Sequence, residues 1–323
     1  MDFTVAICTY NGGDRIGEVF DRLAVQAETQ GIDWEVLVID NNSSDNTAAV
    51  VEKYARNWRS DSQIRYIFEP RQGPAYARDR AVLESKSREF VGFLDDDSLP
   101  AANWLHEAYK FGRDRPRMGA FGGIIHPLLD EEPPPYFNSI KLYLTIYNYG
   151  PYPLHFKRSD TPRRIPAAPG SVVRKQAWRE NIPPAEQLLI KGRDPKTMAA
   201  GEDAEVMFYI QNSDWEVWYN PKMEVWHHIP QDRLDPEYIQ KLARGYGLST
   251  HLTRVARHQA WQRPVVRLLA PAYAIYNGWK AWRYYVEYQQ ELETNLGKRC
   301  ELESQIGKAY SPLLWWYRRF LVP

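Results

Sequence analysis

Short apolar runs separated by amphipathic stretches dominate the first hundred residues of the chain. Each run is rich in β-branched and aromatic residues and predicts a strand, and the four runs lie at residues 4–8, 34–39, 64–68 and 90–95. Between the runs, apolar residues recur at helical spacing, and the three predicted helices begin near Asp14, Asp45 and Gly73. This alternation predicts an α/β fold with a doubly wound, mostly parallel sheet.

Polar clusters follow the predicted strands at the points where they end. They are Thr9–Asn11, Asp40–Asn41, Gly73–Arg78 and Asp95–Asp97. In a doubly wound sheet, ligands bind beyond the carboxyl ends of the strands, so we expect the four clusters to form one site. The site is not predicted to bind a dinucleotide, because no G-x-G-x-x-G sequence follows the first strand.

Three adjacent carboxylates, Asp95, Asp96 and Asp97, close the fourth predicted strand. Adjacent anions repel one another, which would not stabilise a core. A hard divalent cation, Mg²⁺ or Mn²⁺, prefers oxygen ligands and often bridges carboxylates to substrate phosphates. The alternative is a solvated acidic turn that caps the next helix.

The second half of the chain is less regular. Further strands are predicted at 119–127, 169–175 and 215–219, and a further helix begins at Gly201. Residues 130–169 are rich in Pro and Tyr and predict a long loop, within which 133–153 is a candidate lid over a substrate. From about residue 235 the pattern is helical. We therefore expect a catalytic domain over 1–234 and a helical extension over 235–323.

The composition is that of a globular protein, with 44% hydrophobic and 25% charged residues. The formal net charge is zero, so nothing predicts a nucleic-acid partner. Cys8 and Cys300 are too few for a disulfide framework and favour a reducing compartment. With neither a signal-peptide pattern nor a long apolar run in the sequence, we expect a cytoplasmic protein.

The last part of the chain combines aromatic and basic residues. From His251 onward, eleven Lys and Arg stand against five Asp and Glu, and the aromatic residues include Trp279, Trp282 and several within 313–320. Such a composition suits peripheral contact with a membrane surface, here the inner face of the plasma membrane. Packing against the catalytic domain and an oligomer interface are the alternatives.

The ordered motifs resemble those of family 2 glycosyltransferases with the GT-A fold, a Rossmann-like architecture. The motifs are Ile7–Asn11, Val38–Asp45, Gly73–Arg78, Phe93–Asp97 and Gly201–Asp203, and the resemblance covers roughly residues 3–230. Cys8 departs from the pattern, which often has Pro there. The overall pattern is similar to that of cyanobacterial hormogonium-polysaccharide glycosyltransferases.

The resemblance implies how the nucleotide-sugar donor is bound. Asp40 would accept the imide N–H of the nucleobase, Arg78 would hold the diphosphate, and Asp95 would face the nucleoside. The remaining candidate donor contacts are Thr9, Tyr10, Asn11, Asp96, Gly123, Gly170 and Glu202. The plain alternatives are a turn aspartate at 40, a surface arginine at 78 and turn glycines.

The resemblance also implies the metal and the catalytic base of an inverting transfer. Asp97 and His228 would bind Mn²⁺ or Mg²⁺, with His227 close behind His228, although a packed structural histidine is an equal alternative. Asp203 would take the proton of the acceptor hydroxyl. Its alternative role is helix capping. The donor is expected to be UDP-linked, with a GDP-linked donor as the alternative, and the acceptor a glycan or lipid-linked saccharide.

Two other functions share this layout. A sugar-nucleotidyltransferase usually has basic residues in the loop after the first strand, where this chain has only Arg15. A non-catalytic glycan-binding scaffold would be expected to have lost Asp97 or Asp203, and both are present.

Overall fold

In the computed structural model, residues 1–58 and 62–320 are described, with side chains up to residue 316. Two compact units emerge. The first comprises Met1–Leu128, Ile146–Lys191 and Val206–His228, and the second comprises Leu129–Thr145, Gly192–Glu205 and Ile229–Pro323. The predicted boundary at residue 234 stays a prediction.

The strands and helices alternate at first and become mainly helical toward the end of the chain. The strands are β1 (Phe3–Thr9), β2 (Trp34–Asp40), β3 (Ile64–Phe68), β4 (Phe90–Asp95), β5 (Ser98–Pro100), β6 (Met118–Leu129), β7 (Leu154–His155), β8 (Val172–Arg174) and β9 (Glu216–Ile229). The helices are α1 (Ile16–Ala24), α2 (Thr47–Arg56), α3 (Pro74–Glu84), α4 (Trp104–Arg113), α5 (Phe137–Ile140), α6 (Lys175–Asn181), α7 (Glu202–Gln211), α8 (Pro236–Leu248), α9 (Thr250–Arg257), α10 (Arg263–Leu268), α11 (Ala270–Tyr288) and α12 (Leu296–Phe320).

A nine-stranded sheet organises the first unit. Strands β3, β2, β1 and β4 lie side by side in that order, and all three pairs are parallel. Because β2 and β3 lie on one side of β1 and β4 on the other, the strand order reverses between β1 and β4. The α/β prediction is confirmed, and this reversal is the place where such sheets bind ligands.

Antiparallel strands extend the sheet beyond β4. The order continues through β8, β6, β9 and β5, and β7 pairs with β9. The strand predicted at 215–219 continues to Ile229, so β9 has 14 residues and carries both histidines of the predicted metal site. Helix α4, which contributes the fully buried Trp104 to the core, had not been predicted.

Aromatic side chains fill the core of the first unit. Phe3 packs edge-on against Trp104, with ring centroids 6.0 Å apart, and Phe90 packs edge-on against Phe121 at 6.1 Å. All four side chains are buried. The middle of the sheet is therefore covered by packed aromatic side chains. The polar side chains of the predicted site lie at the ends of the strands.

The start of α1 differs from the prediction, and the start of α2 adds detail to it. Asp14 does not cap α1, whose N-cap position is Arg15. Asp45 accepts from the backbone N–H groups of Thr47 and Gly13, at 3.0 and 3.1 Å, and so ties the two loops together before α2 begins. Burial raises the pKa of Asp45, but these hydrogen bonds and that of the Thr47 hydroxyl together outweigh it, so the pKa is lowered.

Helices build the second unit. Helix α12 packs against α8, α9 and α11. Its contact with α8 is close: a Cβ added to Gly247 would lie 2.1 Å from the carbonyl oxygen of Ser304. The helical prediction from residue 235 is confirmed. Tyr317 to Phe320, part of the predicted aromatic and basic end, have side chains outside the described residues.

The predicted loop over 130–169 was wrong in part, because it contains α5, a 3₁₀ turn and the short strand β7. Four buried side chains explain the helical turns: Phe137, Ile140, Tyr143 and Leu144 recur at helical spacing within a Pro-rich stretch. Among the described residues, no helix is both long and apolar enough to cross a membrane.

Candidate active site

The candidate site lies at the reversal of strand order between β1 and β4. In the register of the sheet, Thr9 at the end of β1 is opposite Asp40 at the end of β2, and Cys8 is opposite Asp95 at the end of β4. The predicted polar clusters therefore meet at one edge because the strands that carry them are parallel and aligned.

Asp40 is held in place from two sides. The Tyr66 hydroxyl donates to Oδ2 at 2.6 Å, and the backbone N–H of Ser43 donates to Oδ1 at 2.9 Å. Burial, together with the Asp40 carboxylate, raises the pKa of Tyr66, so the phenol stays a donor. Asp40 is only 2% exposed. Each carboxylate oxygen can accept a second hydrogen bond, so the orientation is fixed while acceptor capacity remains.

Asp95 faces Arg78 on α3, with Oδ1 3.6 Å from the guanidinium nitrogen Nη2. Lost hydration raises the pKa of Asp95, the guanidinium lowers it, and the carboxylates of Asp97 and Asp96 raise it again. A third of the Asp95 side chain, 34%, remains accessible, against 11% for Arg78. The carboxylate of Asp95 is therefore the charged group of this pair that a ligand can reach more easily. The Arg78 side chain is largely enclosed by its surroundings.

Asp96 points toward the loop between β1 and α1. The Thr9 hydroxyl donates to its Oδ2 at 2.6 Å, and Arg15 Nη2 lies 3.4 Å away. Burial raises the pKa of Asp96, and the Thr9 hydrogen bond and Arg15 lower it. A Cβ on Gly12 would lie 2.2 Å from Thr9 Oγ1 and 2.3 Å from Asp96 Oδ2, so only glycine leaves room for this contact.

Asp97 meets β9. Strand β5 pairs antiparallel with β9 and places Ser98 opposite His227, and the backbone N–H of His228 donates to the Asp97 carbonyl at 2.9 Å. His227 Nε2 then lies 3.6 Å from Asp97 Oδ2, and both side chains are 11% exposed. Successive side chains of a strand alternate between its two faces, so this geometry favours His227 as the histidine beside the carboxylate.

A divalent ion fits the Asp97–His227 pair. Ligand atoms lie about 2.1 Å from such an ion, so two ligands of one ion are at most about 4.2 Å apart. The 3.6 Å between Asp97 Oδ2 and His227 Nε2 satisfies this limit. Within the described parts of the chain, no group of three or more His, Cys, Asp or Glu is arranged to hold an ion. An ion at this pair would therefore need further ligands from substrate or water.

Two asparagines shape the loops around the site. Asn41 donates to the carbonyl of Arg71 at 2.7 Å and accepts from the N–H of Gly73 at 2.7 Å, which fixes the entry to α3. Asn11, at a positive φ of 49°, accepts from the N–H of Ser44 at 2.8 Å. Tyr10 next to it is 50% exposed and available to a ligand.

Gly123 and Gly170 have packing reasons of their own. A Cβ on Gly123 would lie 1.7 Å from the Met223 carbonyl oxygen, and one on Gly170 would lie 2.7 Å from Val225 Cγ1. Gly170 also has a positive φ of 72°. Because both close approaches are made by β9, the predicted donor contact of these glycines stays a prediction.

Glu202 and Asp203 begin α7 and belong to the second unit. Gly201 precedes them at a φ of 127°, and the N–H of Ala204 donates to Asp203 Oδ1 at 2.8 Å. Glu202 is 8% exposed. Acidic residues in a first turn are favoured by the positive end of the helix.

Three contributors to the site were missed or undervalued in the sequence. Tyr66 was assigned to a strand only, and its contact with Asp40 follows from the parallel register of β2 and β3. Arg15 was noted only as a basic residue in the first loop, although it faces Asp96. His227 was ranked below His228, and the pairing of β9 with β5 places His227 beside Asp97.

Comparison with known proteins identifies relatives of this chain. The family model described as Glycosyl transferase family 2 matches residues 4–179, more than half of the chain. Poly(ribitol-phosphate) beta-N-acetylglucosaminyltransferase TarS of Staphylococcus aureus is 33% identical over 111 residues, which are 34% of this chain and 19% of TarS. WfgD of Escherichia coli, a UDP-Glc:alpha-D-GlcNAc-diphosphoundecaprenol beta-1,3-glucosyltransferase, is 42% identical over 73 residues, which are 22% of this chain and 26% of WfgD. The matches thus span about a fifth to a quarter of these relatives.

Solved structures share the fold over nearly the whole chain. The mannosyltransferase PcManGT from Pyrobaculum calidifontis, in complex with GDP-Man and Mn²⁺, has a TM-score of 0.61 at 15% identity and covers 96% of this chain and 86% of that one. TarS 1–349 in complex with UDP has a TM-score of 0.52 at 15% identity, with 96% and 91% covered. At these identities the likeness shows the fold, and it confirms the GT-A prediction.

Proposed function

This chain belongs to glycosyl transferase family 2, and from that premise we propose that it transfers a sugar from a nucleotide-diphospho-sugar to a glycan or lipid-linked saccharide in polysaccharide biosynthesis. The observation that carries the proposal is the convergence of Asp40, Arg78 and the carboxylates 95–97 at the reversal of strand order. This is where an α/β sheet binds a nucleotide.

Donor binding divides among the strand ends. Asp40, oriented by Tyr66, accepts the imide N–H of the nucleobase, and Arg78 binds the diphosphate. Asp96 acts by holding the β1–α1 loop through Thr9 and Arg15. Uracil and guanine both offer a ring N–H to a carboxylate, so Asp40 alone does not choose between a UDP-linked and a GDP-linked donor. We favour a UDP-linked donor, and TarS has been crystallised with UDP-GlcNAc.

Asp97 and His227 are the residues that would hold Mn²⁺ or Mg²⁺. A nitrogen ligand beside a carboxylate favours Mn²⁺, since Mg²⁺ takes almost only oxygen ligands. These two residues would place the positive charge of the ion beside the departing nucleoside diphosphate. His228, the histidine preferred from the sequence, is assigned a backbone role instead, through its N–H to the Asp97 carbonyl.

Asp203 is the general base of this proposal. The acceptor hydroxyl oxygen attacks the anomeric carbon from the side opposite the leaving group, and Asp203 takes the hydroxyl proton. The bond between the anomeric carbon and the diphosphate oxygen breaks, and its electron pair leaves with the nucleoside diphosphate. The product is inverted at the anomeric carbon. This role rests on the Gly201–Asp203 motif and on the position of Asp203 in the first turn of α7, where the positive helix end favours an acidic residue.

The finer assignments stay predictions. They are the likeness to hormogonium-polysaccharide glycosyltransferases, the acceptor, the lid over 133–153, an oligomer, and contact with the inner face of the plasma membrane. Of these, the lid has a direct test. Nucleotide with acceptor would protect residues 133–153 from proteolysis, and unchanged cleavage would contradict it.

The proposed activity is tested by nucleotide release from a panel of sugar nucleotides, with and without Mn²⁺, in the presence of saccharide acceptors. Asp203→Asn is expected to lower turnover about 100-fold or more, the usual contribution of a general base. Asp97→Asn should abolish the stimulation by Mn²⁺. Asp114→Asn, at an exposed position beyond α4, is the matched control and should keep full turnover. Donor binding without turnover across the panel would contradict the enzyme and favour a glycan-binding scaffold.

A further inference from the structure

Helices α10 and α11 carry a stripe of exposed apolar side chains. The apolar stripe consists of Val265, Leu268, Ala272, Ile275, Trp279, Trp282 and Val286. Successive members are three or four residues apart, so they lie along one side of the helices. Leu268 is 80% exposed, Ile275 75% and Trp282 63%, so this side is not packed against the described part of the chain.

The opposite side of the same helices is packed. Val266, Ala270, Asn277 and Ala281 are buried, and α11 lies against α12 within the second unit. On these helices the smaller side chains therefore face the protein, and the large aliphatic and aromatic side chains face outward. An outward apolar face of this length indicates a binding surface.

Charge along the two helices is mostly positive. Residues 263–286 contain four Lys and Arg and no Asp or Glu, and the first acid after them is Glu287. On α11 itself, Lys280 Nζ lies 5.4 Å from the centre of the Tyr276 ring, and the Arg283 guanidinium lies 5.7 Å from the Trp279 ring. Basic groups therefore lie beside the exposed aromatic rings.

We propose that the apolar stripe docks this protein on an anionic lipid surface, with α10 and α11 lying in the plane of the headgroups. Trp and Tyr are favoured at the boundary between headgroups and acyl chains, and Lys and Arg beside them are attracted to anionic headgroups. An anionic lipid surface is complementary to both properties of this face, its apolar area and its positive charge.

A second copy of the chain would be complementary only to the apolar area of the stripe. The three-four spacing would also suit a helix–helix seam. A second stripe, however, would bring the same basic residues, and residues 261–289 contain four Lys and Arg against the single acid Glu287. Like charges flanking such a seam oppose association. The charge therefore favours a lipid surface over self-association.

The test is co-sedimentation of the full chain with vesicles of equimolar phosphatidylcholine and phosphatidylglycerol, beside vesicles of phosphatidylcholine alone. We expect binding to the anionic vesicles that weakens as salt is raised, and little binding to the neutral ones. The double variant Lys280→Gln with Arg283→Gln should bind about 25-fold more weakly, since each basic residue at such a surface contributes about fivefold.

The apolar part is tested by Leu268→Gln with Trp282→Gln, which should weaken binding at least about tenfold. Leu83→Gln is the matched control, because Leu83 is 62% exposed on α3, away from the stripe, and it should leave binding unchanged. Circular dichroism melting checks that each variant folds. Equal binding to neutral and anionic vesicles, no binding at all, or a dimer that the double variants dissociate would overturn the proposal.

Discussion

His227 and His228 are adjacent, and the sequence alone could not show which of them lies beside Asp97. In the structure, the His227 ring contacts the Asp97 carboxylate. Asp97 ends the acidic run after β4, and His227 approaches it only because β5 and β9 pair antiparallel. His228 is one residue further along the same strand, in which successive side chains alternate between faces. Strand register thus favours His227 over His228 as the proposed metal ligand.

His227→Ala should weaken Mn²⁺ binding in the presence of UDP by at least about tenfold, since even residues that only orient a ligand contribute that much. His228→Ala keeps its backbone N–H to the Asp97 carbonyl and should change the affinity little. Titration of Mn²⁺ followed by electron paramagnetic resonance measures both. The reverse order of effects would restore His228 as the ligand.

Several site residues could be predicted from local pattern, and several could not. Asp40 and Asp95–Asp97 follow apolar runs, and a parallel sheet brings strand ends together, so their convergence was predictable. Tyr66 and Arg15 depend on register and on the path of a loop, which no periodicity encodes. The sequence could mark a glycine as a close approach but could not show what approaches it. Gly123 leaves room for a neighbouring strand. Gly12, which was not singled out, leaves room for the Thr9–Asp96 contact.

At the scale of elements, the loop between β1 and α1 is fastened to β4 through Asp96. Thr9 and Arg15 both reach this carboxylate, and Gly12 leaves the space that they need. The parallel core was predictable because β1, β2 and β4 are buried apolar runs, and the more exposed β3 is rich in β-branched and aromatic residues. The antiparallel strands β5 to β9 are short or mixed in polarity, and α4 follows β5 after only three residues, so their pairing is set by tertiary contacts.

Gly12→Ala should lower the free energy of unfolding by about 1–3 kcal/mol, because the added methyl group has no room beside Thr9 and Asp96. Donor affinity should fall with it, since the loop is displaced from the site. Gly278→Ala is the control: nothing lies within 4 Å of an added Cβ on this helical residue, and the change should stabilise by about 0.5–1 kcal/mol. Urea denaturation gives both values, and equal effects at the two positions would contradict this account of the loop.

At the scale of the whole molecule, stability is expected to depend on a buried histidine far along the chain. His251 on α9 is fully buried, with its ring 5.2 Å from that of Trp315 on α12. Burial, together with the nearby charges of Arg254 and Arg267, lowers the pKa of His251 to about 4. The folded protein therefore holds the ring neutral where the unfolded chain would take up a proton.

The free energy of unfolding should fall by up to about 3 kcal/mol as the pH is lowered from 6.5 toward 4, because the unfolded state binds this proton and the folded state does not. Above pH 6.5 the contribution of His251 is complete. His251→Phe keeps a ring against Trp315 without a titrating group and should lose this part of the acid sensitivity. Chemical denaturation at several pH values measures it, and an unchanged slope in the variant would contradict the assignment.

Metal-assisted binding of a nucleoside diphosphate at the strand ends is the central claim, and calorimetric titration of UDP into the full chain tests it most directly. Run with and without Mn²⁺, the titration should show the ion tightening UDP binding at least about tenfold in the native protein. The Asp97→Asn variant should bind UDP with the same weaker affinity in both conditions. If UDP binds equally well without the ion, or if Asp97→Asn keeps the full gain, the account is contradicted.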